Sequence, residues 1–145
     1  MREDDAHALC ADVLTMPFNW APPETSSSEL YKEHSHFKAH VELLGPDGLV
    51  ASDTVRLGLY GMRRNSEYGI RTHPAEEIYI MLAGSCFWMR GDEPYQNSGI
   101  GDRSFHPSYL PHATLTTDHA FMSVYAWAGD LSKESYKYEG LPTTG

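Results

Sequence analysis

The side chains with the most chemistry to offer fall in one run, RTHPAEEIYIMLAG, from Arg71 to Gly84, where His73, two adjacent glutamates and Tyr79 interrupt an apolar stretch. Burying an imidazole, a carboxylate and a phenol is costly unless each is paired or ligated, so the run predicts a site. A strand over residues 77–82 puts Glu77, Tyr79 and Met81 on one face and Ile78, Ile80 and Leu82 on the other, both buried. His73 lies four residues before Glu77, with Pro74 bending the entry, and reaches the same spot. His112, in FHPSYLPHATLTT, follows a Pro, precedes a strand and shares parity with Thr114 and Thr116. His73, Glu77 and His112 make a two-histidine, one-carboxylate set that leaves open positions on a divalent iron or related metal, with Tyr79 at or near a fourth. Such ligands accept iron, manganese, zinc, nickel or cobalt. Eight histidines in 145 residues give many chance triads, so spacing alone only suggests this one.

These residues need strands to hold them, and the chain supplies strand patterns from His36 onward. FKAHVELL alternates, GPDG reads as a tight turn, and TVRLGLYGM is a second strand. After the connection RRNSEYG come EEIYIML, the turn AGS, CFWMR, the loop GDEPYQNSGIGD, then RSFHP, HATLTT and FMSVYAWAG. Short strands at close spacing suit an all-β sandwich or a small closed barrel. The polar tail from Asp130 is expected to loop back or fray. Composition shifts near residue 30, which divides the chain into an N-terminal helix and arm, 1–30, and one domain, 31–145. Helix DDAHALCADVL stripes Ala6, Leu9, Val13 and Cys10 on one side, with Asp residues in its first turn. MPFNWAPPETSSSE reads as an extended arm, with Phe18 and Trp20 stapling it to the core.

The remaining polar residues have plainer readings. Glu76 is a solvated neighbour of Glu77, His106 and His119 sit in loops, and GIGD is a turn. HSHFKAH offers His34, His36 and His40 as a second metal cluster. Glu77 has an alternative as a buried ion-pair partner of Arg71, Tyr79 as a core tyrosine with a satisfied hydroxyl, and Tyr125 and Trp127 as core aromatics.

Twenty acidic against 11 basic residues give a formal net charge of −9, which disfavours nucleic acid and anionic membranes as partners and favours a small molecule. Cys10 and Cys86 are too few and too far apart for a disulfide framework. The start MREDDAHALC is acidic where a signal peptide is basic, and no run approaches a membrane span. A cytoplasmic protein is the expectation.

Residues 58–130 resemble the cupin superfamily. The first cupin motif is matched by Arg71-Thr72-His73, Glu77 and Gly84, and the second by HPSYLPHA, pointing to His112. More narrowly, HPAEEIYIMLAG, FHPSYLPHA and YAWAGDL resemble the cupin-type dimethylsulfoniopropionate lyases and their relatives. The resemblance implies a small double-stranded β-helix, a jelly-roll barrel that often dimerises, with His73, Glu77 and His112 on one divalent metal. It implies Tyr79 as catalytic base and Tyr68 in the pocket. Arg71 departs from the first histidine of the cupin H-x-H, and a guanidinium cannot ligate a metal. Facing the site, it is suited to a substrate carboxylate.

The chemistry implied is β-elimination of dimethylsulfoniopropionate to dimethyl sulfide and acrylate. The metal polarises the carboxylate, Tyr79 takes the adjacent proton, and the faces of Tyr68, Trp88, Tyr125 and Trp127 receive the sulfonium. The alternatives are a related cupin acting on another small carboxylate, or a non-catalytic cupin that binds a ligand or a metal.

Overall fold

The computed structural model describes residues 6–142. Two sheets share one core. The first runs β2 (Val50–Ala51), β1 (Lys38–Gly45), β3 (Val55–Met62), β10 (Phe121–Ala128), β5 (Glu76–Gly84) and β8 (Arg103–His106). The second runs β11 (Lys137–Gly140), β4 (Glu67–Thr72), β9 (His112–Leu115), β6 (Cys86–Arg90) and β7 (Gln96–Ser98). This is the jelly-roll arrangement expected. Alternating strands give each sheet one inward row, and from these rows Tyr60, Tyr79, Met81, Tyr125, Tyr68 and Trp88 pack into a single cluster.

On β5, Glu77, Tyr79 and Met81 point inward and are buried, and Glu76 is exposed, as read from the sequence. The other face is buried in part. Ile78 and Ile80 are half-exposed, while Leu82 and Ala83 lie under the N-terminal segment. Register slips between Met122 and Ser123 of β10 where it pairs with β5, a bulge that turns consecutive residues to the same side. Helix α1 (Leu9–Thr15) covers that patch with Cys10, Val13 and the preceding Ala6, whereas Leu9 points outward at 42% exposure, contrary to the expected stripe. The Asp4 and Asp5 expected in its first turn lie outside the described residues.

The arm is extended as expected, and Ala21 exchanges both backbone hydrogen bonds with His40 of β1. Phe18 packs on the outer cluster and meets Trp20 edge-on at 6.0 Å. Two elements depart from the sequence reading, and the tail takes the first of its two expected courses. Helix α2 (Glu29–Glu33), capped by Ser28, stands at the expected end of the arm, where the sequence reading placed no element, and buries Tyr31 against the rings of Tyr68, Tyr136 and Tyr138. RRNSEYG becomes strand β4 from Glu67, and the tail loops back as β11 along β4. Among the described residues no helix is long and apolar enough to cross a membrane.

Candidate metal centre

Register sets the site. Across the first sheet, Trp127 pairs with Glu77 and Glu77 with His106; one row deeper, Tyr125 pairs with Tyr79 and Tyr79 with Ser104. Across the second, His112 pairs with Arg71. His73 leads from β4 into β5 and crosses between the sheets. Buried side chains of both sheets thus meet around one carboxylate.

His73, Glu77 and His112 offer ligand atoms that all lie within 4.8 Å of one another. Nε2 of His73 is 3.3 Å and Nε2 of His112 is 3.2 Å from Glu77 Oε2. The far nitrogens assign the protons. His73 Nδ1 donates to the carbonyl of Ala75 at 3.1 Å and His112 Nδ1 to that of Leu110 at 2.8 Å, since a carbonyl can only accept. In neutral rings both Nε2 atoms then carry lone pairs. Two lone pairs facing a carboxylate oxygen leave no proton to hold them, and His112 Nε2 is buried with no hydrogen-bond partner. A divalent cation satisfies this donor set, and the three residues fit one. Burial, then the charge of Arg71, holds the His112 pKa well below its ordinary value, so the ring is neutral. Burial opposes the Glu77 charge, but hydrogen bonding led by His106 outweighs it and keeps the carboxyl well below its usual range.

A cavity opens beside this centre, lined among others by Arg71, Tyr68, Tyr79, Tyr125 and Trp127. Arg71 is 1% exposed, donates to Thr114 Oγ1 at 3.0 Å and stacks on Tyr68 at 3.8 Å. Among the described residues no carboxylate pairs with it, so the Arg71–Glu77 ion pair does not form and the guanidinium faces the cavity uncompensated. Lys38 also lies over the Tyr68 ring, at 3.6 Å, and its buried amine has no hydrogen-bond partner. Burial, then the charge of Arg71, lowers its pKa from 10.5 to about 6. The Tyr68 and Tyr136 hydroxyls are bonded to each other. Burial first, then the charge on Glu77, pushes the Tyr79 phenol well above its ordinary value.

Trp127 donates its indole N–H to Glu77 Oε1 at 2.6 Å and stacks on His73 at 4.4 Å. Tyr125 is bonded to His40 Nε2 at 2.5 Å. Its ring fits because Gly58 is its register partner: a Cβ there would stand 2.8 Å from Tyr125 Cε1. Trp88 lies behind Tyr79, ring centres 4.5 Å apart, and is not brought to the cavity wall. The arm residues Pro23, Glu24 and Thr25 also line the cavity.

His106 was read as a loop residue. The structure corrects this: it ends β8, is fully buried, and puts Nδ1 3.3 Å from Glu77 Oε2. The signal was the alternation in RSFHP, which puts Ser104 and His106 on one face. His119 is exposed in a loop as expected. The histidines of HSHFKAH separate: His34 bonds Tyr138, His36 is exposed, and His40 bonds Tyr125.

A family model described as dimethylsulfoniopropionate lyase matches residues 6–123. The dimethylsulfoniopropionate lyase DddQ of Ruegeria pomeroyi is 43% identical over 89 residues, 61% of this chain and 44% of that protein. A crystal structure of DddQ from Ruegeria pomeroyi matches with a TM-score of 0.73 and 35% identity, over 83% of this chain and 60% of that one. A cupin-like protein of Thermotoga maritima, 14% identical, shares the fold with a TM-score of 0.64 over 88% of this chain and 92% of its own. The chain therefore spans less than two thirds of the length of DddQ.

Proposed function

The chain belongs to the dimethylsulfoniopropionate lyase family, and from that premise we propose that it cleaves dimethylsulfoniopropionate by β-elimination, with one divalent metal on His73, Glu77 and His112. The observation that carries this is the convergence of two imidazole nitrogens, of His73 and His112, and a carboxylate oxygen beside the Tyr79 phenol and an uncompensated guanidinium.

Arg71 takes the substrate carboxylate by charge-assisted hydrogen bonds. The faces of Tyr125 and Trp127 receive the dimethylsulfonium, while the Tyr68 ring, already stacked with Arg71 and Lys38, holds the guanidinium in place and Trp88 supports Tyr79 from behind; aromatic contacts with a cation are worth about 0.5–2 kcal/mol each. A divalent cation on the three ligands would supply Lewis acidity to the developing enolate and offset the Glu77 charge, which after burial is the next cause holding the Tyr79 phenol protonated. Tyr79, as the phenolate, removes the proton beside the carboxylate, the electron pair forms the double bond, and the Cβ–S bond breaks with its electrons going to sulfur. Dimethyl sulfide and acrylate leave, and Tyr79 returns its proton to solvent. General-base action is worth roughly 10²–10⁴-fold. The same reading takes residues 31–145 as one cupin domain, cytoplasmic and capable of dimerising, preceded by an N-terminal helix and extended arm over residues 1–30.

The test is headspace detection of dimethyl sulfide from protein loaded separately with iron, manganese, zinc, nickel and cobalt, beside Tyr79→Phe. Metal-dependent release that collapses in the variant is the expected result. One metal bound per chain with no release overturns the lyase and leaves a metal-binding cupin.

A further inference from the structure

Glu77 is contacted by three imidazoles, and the proposed ligand set uses two. The third, His106, is set apart by its far nitrogen. Where His73 and His112 send Nδ1 to carbonyls, His106 Nε2 lies 2.9 Å from the hydroxyl of Ser104, and its Nδ1 is the atom at Glu77 Oε2. That hydroxyl is buried and the ring nitrogen is its partner, so O–H donates to Nε2 and the proton of the neutral ring sits on Nδ1. His106 therefore presents a donor to the carboxylate where the other two present lone pairs. Its ring stacks on His112 at 4.2 Å and 22°, which fixes both planes.

The carboxylate is consequently gripped at two points. Trp127 Nε1–H holds Oε1 and His106 Nδ1–H holds Oε2, and Oε2 keeps a further lone pair toward the nitrogens of His73 and His112. Resting on the reading that these three residues hold a metal, we propose that His106 is a positioning residue: with Ser104 fixing its tautomer, it donates to Glu77 and orients the carboxylate for the cation. Arg71 removes an imidazole at the first motif, and His106 restores a third imidazole to the centre, on a different strand and in a different role.

Cobalt(II) binding to the full chain tests this through affinity and visible d–d absorption, with metal-free melting as control. His106→Leu removes the donor and is expected to weaken cobalt about 10–100-fold, the usual scale for such partners. His106→Asn places an amide N–H near the position of Nδ1 and should recover most of that affinity with the parent spectrum. Ser104→Ala frees the tautomer and should weaken binding by a smaller factor; it also serves if His106→Leu does not fold. Unchanged affinity in the Leu and Ala variants, whatever their melting, overturns the proposal. So does an Asn variant that stays weak with a spectrum of lower coordination, because His106 would then be a ligand. A parent chain that binds no cobalt refutes the metal reading itself, and the role of His106 falls with it.

Discussion

Trp127 and Glu77 stand opposite each other on β10 and β5, and the indole N–H reaches Oε1 at 2.6 Å. Trp127→Phe keeps a ring against His73 and removes that donor. Leaving a buried charged acceptor short of a partner costs about 1–3 kcal/mol. Metal-free melting should fall accordingly, and metal affinity should weaken about tenfold or more, the range for lost outer partners. Isothermal titration separates the two effects, and a variant with parental affinity would show that the bond serves stability alone.

Arg71→Gln removes the uncompensated guanidinium. A charge-assisted hydrogen bond is worth about 1.5–3 kcal/mol, so kcat/KM should fall roughly 10–100-fold. The loss should appear mainly in KM, because the anchor acts on the carboxylate in ground and transition states alike. Stability should hold or rise, since no carboxylate depends on this group. An unchanged KM would assign carboxylate binding to the metal.

Lys38→Met replaces an amine held against two tyrosine rings. With its pKa lowered from 10.5 to about 6 by burial and by Arg71, the amine is neutral in the folded chain and protonated in the unfolded one across that window. Unfolding then takes up a proton, so the parent gains stability as pH rises, by at most about 1.4 kcal/mol per pH unit. The variant lacks this slope. It should be more stable than the parent at pH 6.5, with the gap in urea midpoint closing toward pH 10; a constant gap contradicts the assignment.

Gly58→Ala drives a methyl into Tyr125 and the carbonyl of Val41. Overpacking of this kind costs about 1–3 kcal/mol, to be read as a lower denaturant midpoint. The substitution should also raise KM by displacing the Tyr125 ring from the cavity wall.

The strand carrying Glu77 and Tyr79 was legible because its inward residues alternate with Ile78 and Ile80, and a prolyl turn on either side brings His73 and His112 to it. On β8 the same rule misleads. Phe105 is the apolar residue and points out at 45% exposure, while the polar Ser104 and His106 point in, because what they pack against is a carboxylate. Helix α2 and strand β11 carry no strong period of their own. Each is set by tertiary contact, of Tyr31 with the tyrosine cluster and of Lys137–Gly140 with β4. Trp88 shows a further limit, since alternation gives the face but not the depth, and Trp88 lies one layer behind Tyr79.

Strand β8 is bonded along one side only, at the end of its sheet, and is four residues long. Residues at such a margin open locally at a smaller free energy than the strands between them. The backbone amides of residues 103–106 should therefore exchange with deuterium well before those of β5 and β10. If His106 closes the centre from this margin, metal loading draws the strand into the slow-exchanging interior, and the protection gained there measures how firmly a bound ion fastens the edge of the fold.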